Sequence, residues 1–262
     1  ADALTTGLGG KGANQSAAVA KAGVRVEHIG AVGPGSGWIL DRLRAFGVET
    51  DHIAELDVPT GHAIINVAAD GENAIVILPG ANACQSGDRI RTALADAQAG
   101  DLFLLQNETT LQAEAAEMAS GKGLRVLYSA APFDPAAVKA VLPYIDTLLL
   151  NEVEARQLEK TLDQSLFSLP VGQVVITLGS KGARWVDVRS GDVTEVEAEK
   201  VTAVDTTGAG DTFAGYLAAA LHEGQSAKSA MALAGRAAAL KVTRKGTADA
   251  IPTRAEVEAL RP

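Results

Sequence analysis

Residues 102–106, L-F-L-L-Q, and 125–129, R-V-L-Y-S, flank a helical stretch at 111–119, and this strand–helix–strand unit decides the fold. Both apolar runs are continuous rather than alternating, the pattern of parallel strands covered on both faces. The rhythm extends in both directions. A helix at 89–97 precedes the unit. A helix from Pro135, a strand at 147–150, a helix at 152–159 and a strand at 174–178 follow it. Such crossovers are right-handed, so the chain is predicted to form a doubly wound, mainly parallel α/β sheet with helices on both faces. Ligands of these sheets bind outside the carboxyl ends of the strands. The polar clusters fall at such ends: Glu108, Asn151 with Glu154, the loop 177–182, and 205–211.

Two stretches break the rhythm. Residues 184–188 and 193–196, around Ser190-Gly191, read as a hairpin at the sheet's edge. Residues 62–68 and 74–78, around Asp70-Gly71, read as a second hairpin. The second has no place in a β-α-β series and is predicted to form a lid, built from about 1–8 and 60–79. Upstream, 24–32 reads as a strand and 38–46 as a helix; 1–8 is a loop or an edge strand. Downstream, the alanine-rich segments 212–221 and 228–240 read as closely packed helices, and 253–260 as a last helix.

Residues 204–216, V-D-T-T-G-A-G-D-T-F-A-G-Y, gather the chemistry. The β-branched Val201, Thr202 and Val204 lead in as the end of a strand would. Thr206, Thr207, Gly208, Ala209 and Gly210 are small enough to let a ligand touch the backbone. Phe213, Leu217 and Leu221 then mark one helical face. A glycine-rich turn feeding a helix N-terminus aims N–H groups and the positive dipole end at one spot, which is an anion site. Asp211 conflicts with a bound phosphate unless it is a base that takes a proton from a substrate hydroxyl. The alternative is a helix cap after a plain tight turn.

A second glycine-rich turn, G-G-K-G-A-N-Q at 9–15, lacks the G-x-x-x-x-G-K-[ST] spacing of a P-loop. Lys11 and Asn14 are candidates for binding a sugar's hydroxyls; the alternative is a surface lysine and a capping asparagine.

Composition bounds the function. The 262 residues are 47% hydrophobic, enough for a large core, and carry a net charge of −9. Without a basic cluster, nucleic acid and anionic membranes are not expected partners. No apolar run is long enough to span a bilayer. Cys84 is the only cysteine, as expected for a reducing cytoplasm, and the four histidines show no metal-ligand spacing.

The motifs G-G-K-G-A-N-Q, D-G-E-N-A-I with P-G-A-N-A, N-E-V-E, T-L-G-S-K-G, D-T-T-G-A-G-D and V-T-R-K-G occur in this order from residue 9 to about 251. Together they make the chain resemble the ribokinase/phosphofructokinase-B family of carbohydrate kinases. The resemblance implies one kinase domain over 1–262 that uses ATP, a divalent cation such as Mg²⁺, and K⁺. The implied reaction is phosphorylation of a sugar's primary hydroxyl, D-ribose first; another sugar, a nucleoside, or a non-catalytic regulatory binder are the alternatives. By resemblance, Asp211 is the base and the N–H groups of 207–210 form the anion hole. Gly10, Lys11, Asn14 and Glu108 match sugar-binding positions. Thr177, Leu178, Gly179, Ser180, Lys181 and Gly182 match the nucleotide loop, and Asn151, Gly210 and Gly235 match further nucleotide contacts. Glu154 matches a residue holding Mg²⁺ through water. Asp205, Thr207, Lys241, Arg244, Gly246 and Ala250 match a K⁺ site made mostly of backbone carbonyls. The lid hairpin implies a homodimer, covering Ile64, Ile65, Val67, Ile75 and Ile77. Ser129 stands where the family usually has asparagine, and Gly235 where a larger polar residue is common. The family also places a central strand with an N-x-D pair before the first glycine turn. Since the chain begins at Ala1 and its only methionines are Met118 and Met231, the expectation is a longer polypeptide, heavier than 26.8 kDa.

Overall fold

The structure, a computed structural model, describes residues 6–67 and 73–260. In chain order, α1 spans Lys11–Lys21, β1 Gly30–Val32, α2 Gly37–Ala45, β2 Ile53–Glu55, β3 His62–Val67 and β4 Asn73–Leu78. Then come α3 at Gly87–Ala93, β5 at Leu102–Gln106, α4 at Gln112–Gly121, β6 at Arg125–Ser129 and α5 at Pro135–Val141. They are followed by β7 at Thr147–Asn151, α6 at Glu152–Leu162, β8 at Gln173–Thr177, β9 at Ala183–Asp187 and β10 at Val193–Val196. Helices α7, Ala209–His222, α8, Ala227–Val242, and α9, Arg254–Ala259, complete the chain.

The main sheet has six strands in the order β10-β9-β8-β7-β6-β5. Strands β5 to β8 are parallel, and β9 with β10 adds an antiparallel edge, as the sequence predicts. Alternate strand residues supply two cores. Leu127, Leu149, Val175 and Trp185 face α1, α7 and α8; Val126, Tyr128, Leu148, Leu150, Val174 and Ile176 face the layer of α3 to α6. Each large apolar side chain buried this way contributes about 1.5–3 kcal/mol. That double cover is why the strands read as unbroken apolar runs.

Local chemistry sets the helix starts. Asp134 caps α5 by accepting the Ala136 N–H, with Pro135 in the first turn. Asn151 and Glu154 form a reciprocal capping box at α6, and Thr253 and Glu256 another at α9. The short link after α6 is closed by a 3₁₀ turn, with Leu166, Leu169 and Val171 buried beneath it.

Three expectations need correction. Of 24–32 only Gly30–Val32 is strand; it pairs in parallel with β2, which the sequence reading missed, in a two-stranded sheet separate from the main one. Three residues are too few to show a period. The β-branched lead-in at Val201–Val204 is irregular, because no ladder receives it. The N–H groups of Val204 and Asp205 go instead to the carbonyl of Val242, and Val201 and Val204 remain exposed. Residues 6–8, assigned to a lid strand, form none; residues 1–5 and the Asp70-Gly71 turn lie outside the described residues. The hairpin itself forms as an antiparallel β3–β4 pair. Among the described residues, β5 is an edge strand of the main sheet.

Candidate active site

The parallel register brings the carboxyl ends of the strands to one rim. Gln106 lies opposite Ser129, and Asn151 opposite Thr177. Onto this rim α1 and α7 converge, packed side by side. Gly215 of α7 permits the approach: a Cβ there would sit 2.5 Å from Ala18 Cβ and 2.6 Å from the Gln15 carbonyl oxygen.

That contact places Asp211, in the first turn of α7, against α1. The carboxyl is 7% exposed. Its Oδ2 accepts from Asn14 Nδ2 at 2.9 Å and its Oδ1 from Gln15 Nε2 at 3.2 Å. Gln15 Oε1 in turn accepts from Gln106 Nε2 at 2.6 Å, so a chain of amides runs from β5 to Asp211. The sequence reading quoted Gln15 within its motif but assigned it no part; its 196-residue separation from Asp211 hid it. Asn14 Oδ1 is buried and meets no donor among the described residues, so a hydroxyl donor from a ligand would satisfy it. Beside this group Ser16 Oγ lies 2.8 Å from His28 Nδ1, and burial holds that imidazole at about 4, hence neutral.

The N-cap of α7, Gly208, is left-handed at φ 74°, which glycine adopts without strain. The Thr207 N–H donates to Asp205 Oδ1 and the Ala209 N–H to the Thr206 carbonyl. Among the described residues the N–H groups of Gly208 and Gly210 meet no acceptor. Of the N–H groups at 207–210 expected to form an anion hole, those of Gly208 and Gly210 are free to do so, and those of Thr207 and Ala209 are used within the turn.

Around this centre, Glu108 Oε2 accepts the Lys11 N–H at 2.7 Å, capping α1 next to the left-handed Gly10. The Asn151 side-chain oxygen takes two N–H groups of α6, which leaves its amide N–H₂ free as a donor. Burial pushes the Glu154 carboxyl above its usual range, against the opposing Asn151 N–H and the charge of Lys11. Loop 177–182 leaves β8 as a 3₁₀ turn at Gly179–Lys181, with Gly182 left-handed. Ser180 lines a cavity of about 410 Å³ together with Glu199, Lys200, Val201 and Thr202, residues the sequence reading did not include. Gly235 lies in α8 with open space over its Cα. Among the described residues no group of three or more His, Cys, Asp or Glu gathers as a metal cage, and no helix is long and apolar enough to cross a membrane.

The residues matched to a K⁺ site do converge, but Lys241 enters by its side chain and not by its carbonyl. Its Nζ donates to the Asp205 carbonyl at 2.9 Å. Burial would raise the Asp205 carboxyl, yet the Gly246 and Thr207 N–H groups and the Lys241 charge hold it below its usual range.

The sequence profile of the pfkB family carbohydrate kinases matches residues 1–254. The chain is 35% identical to the ribokinase of Schizosaccharomyces pombe, over 98% of this chain and 87% of that protein. The crystal structure of Cryptococcus neoformans var. grubii ribokinase in complex with ADP superposes with a TM-score of 0.84 at 32% identity, over 98% of this chain and 90% of that one. Arabidopsis thaliana ribokinase complexed with ribose and ATP gives 0.83 at 29% identity, over 96% and 86%.

Proposed function

The chain belongs to the pfkB family of carbohydrate kinases, and on that premise we propose that it transfers the γ-phosphoryl group of ATP to the primary hydroxyl of D-ribose, forming ribose 5-phosphate and ADP. The observation that carries this reading is the buried Asp211 carboxylate beside two unengaged N–H groups at a helix N-terminus. A carboxylate weakens a plain phosphate-binding turn. It has a use there if it removes the proton of the attacking hydroxyl while Gly208 and Gly210 hold the charge spread over the transferred group.

The remaining residues position the reactants. Asn14 and Gln15 orient the base, and Asn14 Oδ1 and Lys11 accept from and donate to the sugar's hydroxyls, with Gly10 and Glu108 forming the floor. Loop 177–182 holds ATP, its base resting by Val201 and Val204, whose side chains are exposed. Asn151 donates to a phosphate oxygen. Mg²⁺ fits as an ion held chiefly by phosphate oxygens and water, since Glu154 offers one carboxylate oxygen beyond its capping bond and no protein cage is present among the described residues. Bound there, it would neutralise developing charge on the phosphates. A coupled ADP-release assay across pentoses, hexoses and nucleosides tests the reading. D-Ribose should give the highest kcat/KM. A better substrate of another class would move the assignment within the family, and no turnover with any would overturn it.

We place the lid as both cover and dimer contact. Ile65 and Ile77 project from one face of β3–β4 and Ile64, Val76 and Leu78 from the other, all exposed, so the hairpin carries apolar surface on both sides. A two-stranded hairpin is marginal alone. One face closing over the sugar and the other meeting a second copy would cover both. Light scattering should show a dimer, and Ile64→Asp with Val76→Asp should shift it to monomer; a monomeric parent protein would refute the contact.

A further inference from the structure

Of the groups matched to the family's K⁺ site, those of Asp205 and the Lys241 carbonyl are already engaged in this chain, and one of the partners is itself a cation. The Asp205 carbonyl already accepts the Lys241 ammonium. Both Asp205 carboxylate oxygens accept N–H groups, of Thr207 and of Gly246, at 2.9 Å each. The Lys241 carbonyl accepts the Arg244 N–H at 3.0 Å. Ala250 has no side-chain oxygen, and the carbonyls of its neighbours Ala248, Asp249 and Ile251 accept a second ammonium, that of Lys21.

The placement of Lys241 is unusual for its position in the chain. At the end of a helix a lysine normally reaches solvent and complements the dipole from outside. Here it is fully buried, 0% exposed, and turned back onto a single turn of chain. That turn leads, through Thr207, to Gly208 and Gly210. An alkylammonium and a potassium ion carry the same charge and are of similar size. We infer that the Lys241 ammonium is a built-in monovalent cation: it holds the Asp205 carbonyl as the family's K⁺ would, and this protein works without added K⁺.

The cation is covalently tethered, so it is present at every ionic composition. It fixes residues 204–207 against the end of α8 alongside the bonds from Val204 and Asp205 to the Val242 carbonyl, at 2.7 and 3.0 Å. The carbonyls of Thr207, Arg244, Gly246 and Ala250 meet no donor among the described residues, and the charge of the Lys241 ammonium at the Asp205 carbonyl opposes a second cation among them.

The inference rests on the kinase reading for its consequence but not for its test. Crystals of the protein soaked in rubidium chloride should show no anomalous peak in reach of the Asp205 carbonyl, and the melting temperature should be the same in potassium and tetramethylammonium chloride at matched ionic strength. ADP release should change by about twofold or less between those salts. In Lys241→Ala the site should open: a rubidium peak appears, turnover in tetramethylammonium falls about tenfold or more, and K⁺ or ammonium restores it. A rubidium peak at Asp205 in the unmodified protein, or a rise of about fivefold or more in its turnover with K⁺, would overturn the inference. If Lys241→Ala does not fold, the rubidium and salt measurements on the unmodified protein still decide. If no sugar is phosphorylated at all, the kinase reading fails while the rubidium result still judges the cation.

Discussion

Asp211→Asn is expected to fold and to lose turnover by about 10²–10⁴-fold or more, the cost of removing a general base. Asparagine is nearly isosteric, and its carbonyl oxygen can keep one of the two amide bonds from Asn14 and Gln15. The loss of a negative charge from the first turn of α7 costs the helix about 0.3–1 kcal/mol, too little to unfold a domain. ATP affinity should hold or improve, because a carboxylate beside the Gly208 and Gly210 N–H groups opposes the phosphates. Isothermal titration with ATP and steady-state ADP release separate the two effects. Parental turnover in this variant would reduce Asp211 to a structural member of the first turn and end the base mechanism.

Gly215→Ala should damage the same reaction from a distance. The added methyl would lie 2.5 Å from Ala18 Cβ and 3.1 Å from the Val19 nitrogen, so α1 and α7 must part. Overpacking of this kind costs about 1–3 kcal/mol, partly offset by the roughly 0.5–1 kcal/mol that alanine returns over glycine inside a helix. Turnover should fall further than that stability loss implies. Asn14 and Gln15 ride on α1 and Asp211 on α7, and a shift of about 1 Å between reacting groups can cost about 10²-fold. The loop at 177–182, proposed to hold ATP, belongs to another element, and ATP affinity should be kept. Urea unfolding and kcat measured together are the check; a destabilised variant with unchanged kcat would show that the α1–α7 spacing does not tune the base.

Much of the fold was legible because of how the sheet is covered. Strands at 102–106, 125–129 and 193–196 lie where the pattern put them, and the helices between them differ by a few residues at their ends. Burial on both faces forces an unbroken apolar run, and capping chemistry marks where each helix begins. These signals are local. The short pair β1–β2 carries no such signal, and the β-branched stretch at 201–204 carries a misleading one, since strand propensity acts only where a neighbouring strand offers a ladder.

The sequence by itself determined the α/β class, the edge hairpin, the β3–β4 pair, and the glycine turns that end in Asn14 and in Asp211. Each is written in residues a few positions apart, where periodicity and turn chemistry operate. Only the tertiary structure decided which N–H groups stay free for an anion, that Gln15 and Gln106 orient the carboxylate, and that Lys241 spends its charge inside the protein. Gln15 meets Asp211 across 196 positions, Gln106 meets Gln15 across 91, and Lys241 meets Asp205 across 36. A lysine at a helix end reads as solvated and a glutamine early in a helix reads as neutral, until packing removes water from around them. Desolvation makes a buried polar group find a partner, and the partner is set by which helices the small residues Gly215 and Ala18 allow to touch.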